Sequence, residues 1–144
     1  MISHKNNDIV YVRMEKGEEI MDSIYKIINK YDIVSGWING IGAMENIRIG
    51  SYDISKKDYH EVDFKGDYEL TSLIGNITQK QDNPFVHAHI TMSDHECRAF
   101  GGHLFYATIT ATGEFFINIT KNLIDRKLDE NIGLYLWKFD HCEL

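Results

Sequence analysis

Proline occurs once in the 144 residues, as Pro84, and cysteine twice, as Cys97 and Cys142. With one proline and no low-complexity tract, the chain offers no linker at which a second domain would begin. Two cysteines without CxxC spacing build no disulfide framework, so they read as free thiols of a reducing compartment. Positive charge is also scarce. Lys and Arg total 15 against 22 Asp and Glu, for a net charge of −7, and the arginines are only Arg13, Arg48, Arg98 and Arg126. Non-specific nucleic-acid binding depends on Lys and Arg neutralising phosphates, so this balance argues against direct DNA binding. No apolar run approaches the length of a membrane span. The segment Met1–Asp8 lacks the apolar core of a signal peptide. The expectation is a cytoplasmic protein that does not enter a membrane.

What is present is ordinary globular material: 43% hydrophobic and 26% charged residues. The length suits one domain, residues 1–144, with a substantial core. Ile9–Met14 reads as a strand, closed by Lys16-Gly17-Glu18. Ile20, Met21, Ile24, Ile27, Ile28 and Tyr31 then recur at three- and four-residue spacing, which predicts a helix with one apolar face. Glu18 and Glu19 stand where a helix N-terminus favours negative charge.

After Asp32 the pattern changes to strands. Ile33–Ala43 and Ile47–Asp53 read as two of them, followed by Tyr59–Phe64, Tyr68–Thr78, Pro84–Met92 and Cys97–Phe100. Leu104–Thr112 and Glu114–Thr120 read as two strands or one bent strand. Asn122–Asn131 is polar, with helical or turn character, and Leu134–Phe139 alternates again. Gly40-Ile41-Gly42 lacks the third glycine and the following helix of a dinucleotide fingerprint, so it reads as a bulge or a close backbone contact. One strand, one helix and then many strands at hairpin spacing predict an α+β fold. Its sheet should be curved, mostly antiparallel and barrel-like, with one principal helix packed on it.

The chemistry-bearing feature is a set of three histidines. His87 and His89 lie in Pro84-Phe85-Val86-His87-Ala88-His89, and His103 follows in Gly101-Gly102-His103-Leu104. Side chains alternate along a strand, so His87 and His89 point the same way. With His103 from a neighbouring segment, they suit a divalent transition metal, zinc first. Three protein ligands leave the open position of a catalytic zinc site rather than a closed structural one. Gly101-Gly102 permits close backbone approach or positive φ. The competing reading is a half-exposed polar strand face with His103 in an unrelated turn. Cys97 is an alternative sulfur ligand. His4, His60 and His141 stand in terminal or turn contexts and read as surface residues. Trp37, Tyr52, Phe105, Phe115, Phe116 and Trp137 read as core or subunit interface rather than a base-stacking platform, because Lys and Arg are sparse around them.

Four blocks resemble the plants-and-prokaryotes-conserved (PPC) domain family. They are Gly40-Ile41-Gly42-Ala43 with Ile49-Gly50-Ser51-Tyr52-Asp53; Glu69-Leu70-Thr71-Ser72-Leu73-Ile74-Gly75-Asn76-Ile77; Pro84-Phe85-Val86-His87-Ala88-His89; and Ala99-Phe100-Gly101-Gly102-His103-Leu104. The resemblance extends from about Val10 to Trp137. It implies a helix packed on a curved antiparallel sheet, a homotrimer, and a metal, zinc first, on His87, His89 and His103. It also implies a fold shared with acetolactate decarboxylase, a zinc lyase with an H-x-H plus distal His arrangement. In plants the domain accompanies an AT-hook, a basic Arg-Gly-Arg-Pro segment, which this sequence lacks.

A metal-binding homotrimer is therefore expected, with a DNA-associated or regulatory role implied by the resemblance. The alternative is a small zinc-dependent lyase or hydrolase acting on a carbonyl or carboxylate metabolite. An enzyme would need a general acid or base beside the metal. The available groups are Glu69, His95, Glu96 and Glu114, with Glu45 just after the glycine motif, and each also reads as a solvated surface charge. Tyr106 and Thr108, beyond His103, could line the same pocket or pack within the strand.

Overall fold

The computed structural model describes residues 1–139; His141 and Cys142 lie outside them. The chain runs β1 (Ile2–Asn6), β2 (Ile9–Glu15), α1 (Ile20–Tyr31), β3 (Ser35–Asp53), β4 (Asp58–Phe64), β5 (Tyr68–Lys80), β6 (Asn83–Ser93), β7 (Ala99–Thr120), β8 (Asp125–Asp129) and β9 (Leu134–Lys138). The class is α+β, as the pattern predicts. All strands join one sheet, antiparallel except for a single parallel bridge between β5 and β8 at Gln79 and Asp125.

Helix α1 forms where the apolar spacing places it. The Glu19 carboxylate caps it, accepting from the backbone N–H of Met21 at 3.0 Å and of Asp22 at 2.5 Å. Ile20, Ile24, Ile27 and Ile28 are fully buried, and the helix lies against β6 and β7. It ends at Asp32, which adopts the left-handed conformation and donates its backbone N–H to the Ile28 carbonyl.

Barrel character comes from a closed circuit of ladders. β3 pairs with β5, β5 with β6, β6 with β7, and β7 with β3. Alternate residues of these strands, among them Ile38, Leu73, Ile77, Ala88, Ile90, Met92, Ala107 and Ile109, turn inward to one core. The outward residues form a continuous external face, and the histidines lie on it.

The structure redraws several strand limits. Ile33–Ala43 and Ile47–Asp53 belong to one strand, β3, whose register shifts between Gly40 and Gly42 against β5 and again after Gly42 against β7. The bulges bend the strand without ending it. β7 likewise runs unbroken from Ala99 to Thr120, through Gly101-Gly102 and Gly113. Within the polar stretch after Asn122, β8 is a strand rather than a helix or turn, held by its antiparallel partner β9. β1 escapes the pattern because Ser3, His4, Lys5 and Asn6 form a polar edge, folded onto β2 through Asn7 at φ 52°. Among the described residues, no helix is long and apolar enough to cross a membrane.

Candidate metal centre

On β6 the side chains alternate as the sequence requires. Val86, Ala88, Ile90 and Met92 are buried in the core, while His87 and His89 occupy the outer face. β7 delivers His103 directly opposite His89 in the β6–β7 ladder. The three ring nitrogens that would serve as ligands all lie within 4.8 Å of one another. His87 Nε2 and His89 Nε2 are 3.2 Å apart.

That separation fits a shared ion. Two nitrogens bound at zinc-like distances around a tetrahedral centre lie roughly 3.3 Å apart. The buried Nδ1 of His103 has no hydrogen-bond partner, and buried nitrogens rarely remain so. The donor set is three imidazoles, and histidine binds metal in its neutral form. Burial, followed by the neighbouring His87 and His89, lowers the His103 pKa from 6.5 to about 4. His87 is lowered as well, first by burial, then by His89 and Arg126.

Aromatic packing supplies the burial. The His103 ring lies 5.0 Å from Tyr59 of β4 and 4.9 Å from Phe105, centroid to centroid. Glycines let the strands approach behind the site. A Cβ at Gly102 would stand 2.8 Å from the Gly50 carbonyl oxygen, and one at Gly75 would stand 2.8 Å from that of His87. Gly101 and Gly102 thus serve close approach, and neither has positive φ.

The other candidates stand elsewhere. Glu69 and Glu114 share a separate recess with Ile41, Ala43, Thr71 and Ser93. Glu96 is exposed and pairs with Arg98 at 2.7 Å. His95 and Cys97 are exposed in the β6–β7 loop, so sulfur ligation from Cys97 is not part of the cluster. Glu45 pairs across β3–β7 with Thr108. The Tyr106 hydroxyl shares a 3.0 Å hydrogen bond with Thr108, and its ring borders a recess lined by Arg48, Glu61 and Asp63. His4 and His60 are exposed, as expected.

Residues beside the histidines that sequence reasoning did not single out are Tyr59, Asn76 and Arg126. Asn76 stands across the β5–β6 ladder from His87, and its Oδ1 accepts from Arg126 Nη2 at 2.9 Å. The one available signal was an isolated arginine in a polar stretch, and nothing local marks such an arginine as buried.

The family model for the Plants and Prokaryotes Conserved (PCC) domain matches residues 1–121. Among solved structures, a plant- and prokaryote-conserved protein from Pyrococcus horikoshii is 35% identical, with a TM-score of 0.85 over 98% of this chain and 97% of its own. A candidate DNA-binding protein from Bacteroides thetaiotaomicron is 28% identical, with a TM-score of 0.93 over 96% of each chain. A metal-containing protein from Archaeoglobus fulgidus is 29% identical, with a TM-score of 0.84 over 96% of this chain and 99% of its own. No curated protein matches the chain.

Proposed function

This chain belongs to the Plants and Prokaryotes Conserved domain family, and within it we propose a single-domain, homotrimeric metal-binding protein. His87, His89 and His103 would hold the ion, zinc first. The carrying observation is the convergence of three imidazoles within 4.8 Å on one outer sheet face. The metal-containing neighbour from Archaeoglobus fulgidus supports the same reading.

A bound divalent ion would supply Lewis acidity and lower the pKa of a coordinated water towards roughly 7. The chain's own groups set the conditions. Tyr59 and Phe105 shield His103 from water. Burial keeps His103 and His87 neutral at physiological pH, so one nitrogen of each ring carries no proton and can bind an ion. No carboxylate belongs to the cluster among the described residues. The centre is therefore built to bind, and its acid–base partner would come from a ligand or a neighbouring subunit.

Self-association has support on the same face. Ladder register places Tyr11, Phe116, Asn39, Ile74 and His89 in one row across β2, β7, β3, β5 and β6. Tyr11, Phe116 and Ile74 are all substantially exposed, as is Trp37 nearby. An apolar row of this kind marks a protein interface, and here it leads directly to the histidines. The net charge of −7 argues against the protein gripping DNA unaided.

Elemental analysis of the purified protein beside a His87→Ala/His89→Ala variant tests the metal reading. The expected result is about one metal ion per wild-type chain and none in a folded variant. No metal in the wild type, even after zinc is supplied, would overturn it.

A further inference from the structure

Arg126 is only 8% exposed, yet no carboxylate pairs with it among the described residues. Its guanidinium donates to three neutral oxygens: Nε to Thr78 Oγ1 at 2.7 Å, Nη1 to the Tyr135 carbonyl at 2.8 Å, and Nη2 to Asn76 Oδ1 at 2.9 Å. A guanidinium carries five N–H donors, so one on each terminal nitrogen is left. Burying a charge without a counter-ion is costly. The position therefore calls for an explanation beyond pinning a hairpin, which a neutral side chain would do at lower cost.

The location supplies one. Phe85, His87 and His89 alternate along the outer face of β6. The Arg126 guanidinium lies over the Phe85 ring, 4.7 Å from its centroid, and bonds Asn76, the cross-strand neighbour of His87. It thus stands next to the histidine cluster, one side chain away from His87 through Asn76. Lys80 adds a second cation. Its Nζ is 5.4 Å from the same Phe85 ring and 3.9 Å from that of Tyr135. Two cations thus share the Phe85 ring, two residues along β6 from His87, in a chain whose net charge is −7.

We propose that this ground holds the carboxylate of a small organic acid, anchored by Arg126 with Lys80 at its side and presented to the three-histidine centre. The guanidinium fork matches a carboxylate in geometry and in charge. A single buried cation with two remaining donors suits that monoanion better than a doubly charged phosphate, which recruits several donors. Arg126 lies beyond residues 1–121 that the family model matches, so the anchor is supplied by the β8–β9 hairpin rather than by the matched region. The guanidinium half stands independently; presentation to an ion rests on the metal reading above.

Calorimetric titration with acetate, at constant ionic strength with chloride as the balancing ion, tests the proposal on metal-loaded and metal-free protein. Wild type should bind acetate saturably in both forms. Arg126→Gln should bind at least tenfold more weakly while retaining its metal content. Inorganic phosphate should bind more weakly than acetate. Wild type that takes up acetate no better than chloride, Arg126→Gln that binds acetate undiminished, or phosphate that binds more tightly than acetate would overturn it. Should Arg126→Gln fail to fold by circular dichroism, Lys80→Gln replaces it. A severalfold loss of acetate affinity is then expected, and undiminished binding overturns the assignment. Acetate binding by a protein that takes no metal would sink the metal reading and keep this one; metal uptake without acetate binding would do the reverse.

Discussion

His89 and His103 face each other across the β6–β7 ladder, their ring centroids 5.4 Å apart. A directly opposed pair on one sheet face is the closest approach two strands allow their side chains. His87, two residues along β6, completes the triangle at 5.0 and 5.2 Å from the other two. The centre is therefore held by two ladder strands rather than by a loop, and its geometry is as rigid as the sheet.

A ligand that binds only the folded state raises stability, by about 2.7 kcal/mol at a hundredfold excess over its dissociation constant. Zinc at that excess should raise the thermal midpoint of the wild-type protein and leave His103→Ala unmoved. Equal shifts in the two proteins would place the ion elsewhere. Calorimetry reads the difference.

The pH dependence follows from the same ring. The His103 pKa falls from 6.5 to about 4 on folding, through burial first and the neighbouring His87 and His89 second. Between those values the unfolded chain binds more protons than the folded one. The metal-free protein should thus lose stability as pH drops from 6.5 towards 4, and this contribution should level off below. His103→Gln should show a flatter profile across that window. Identical profiles for the two proteins would show that His103 titrates normally. The comparison cancels carboxylates that titrate in the same range.

Gly102 faces the Gly50 backbone so closely that a methyl group has no room, its Cβ standing 2.8 Å from a carbonyl oxygen. Gly102→Ala should force β3 and β7 apart beside His103 and cost about 1–3 kcal/mol, the range for an overpacked site. Denaturant unfolding measures the cost. Metal affinity should fall together with stability, because the residue that moves is adjacent to a ligand. A stable variant with weakened metal binding would instead indicate a local shift of the ring alone.

Trp37 is 46% exposed and Ile74 48%; Trp37 reaches the histidine strand through its ladder partner Asn76, and Ile74 pairs directly with His89. Wild type should sediment as a trimer, and a Trp37→Glu/Ile74→Lys protein as a monomer. Both side chains point out of the core, so folding by circular dichroism should be retained. A wild-type monomer would defeat the trimer directly.

Much of this was legible in the residues. The helix was readable because Ile20, Ile24, Ile27 and Ile28 repeat with its own period, and period is a local property. The common face of His87 and His89 was readable for the same reason. β8 was not. Its residues Asp125–Asp129 are polar, and the strand exists because β9 and β5 offer ladder partners. The unity of β3 was hidden at Met44-Glu45-Asn46, where Asn46 has a φ of 49° and the ladder with β7 slips between Glu45 and Arg48 without ending the strand. Glu69 and Glu114, separated by many residues in the chain, face one recess away from the histidines. Only the pairing of β3 with β5 and β7 puts them there.

By itself, the sequence determined the α+β class, the single principal helix, the residue types at the candidate centre and the side of β6 on which two of them stand. These follow from alternation, spacing and chemical character, which neighbouring residues settle among themselves. Tertiary structure decided that His103 opposes His89, that Tyr59 and Phe105 dry the third imidazole, and that Arg126 is buried beside the cluster with no counter-ion among the described residues. Ladder register and burial depend on which distant segments meet, and a slip of one residue would turn His103 to the opposite face of the sheet.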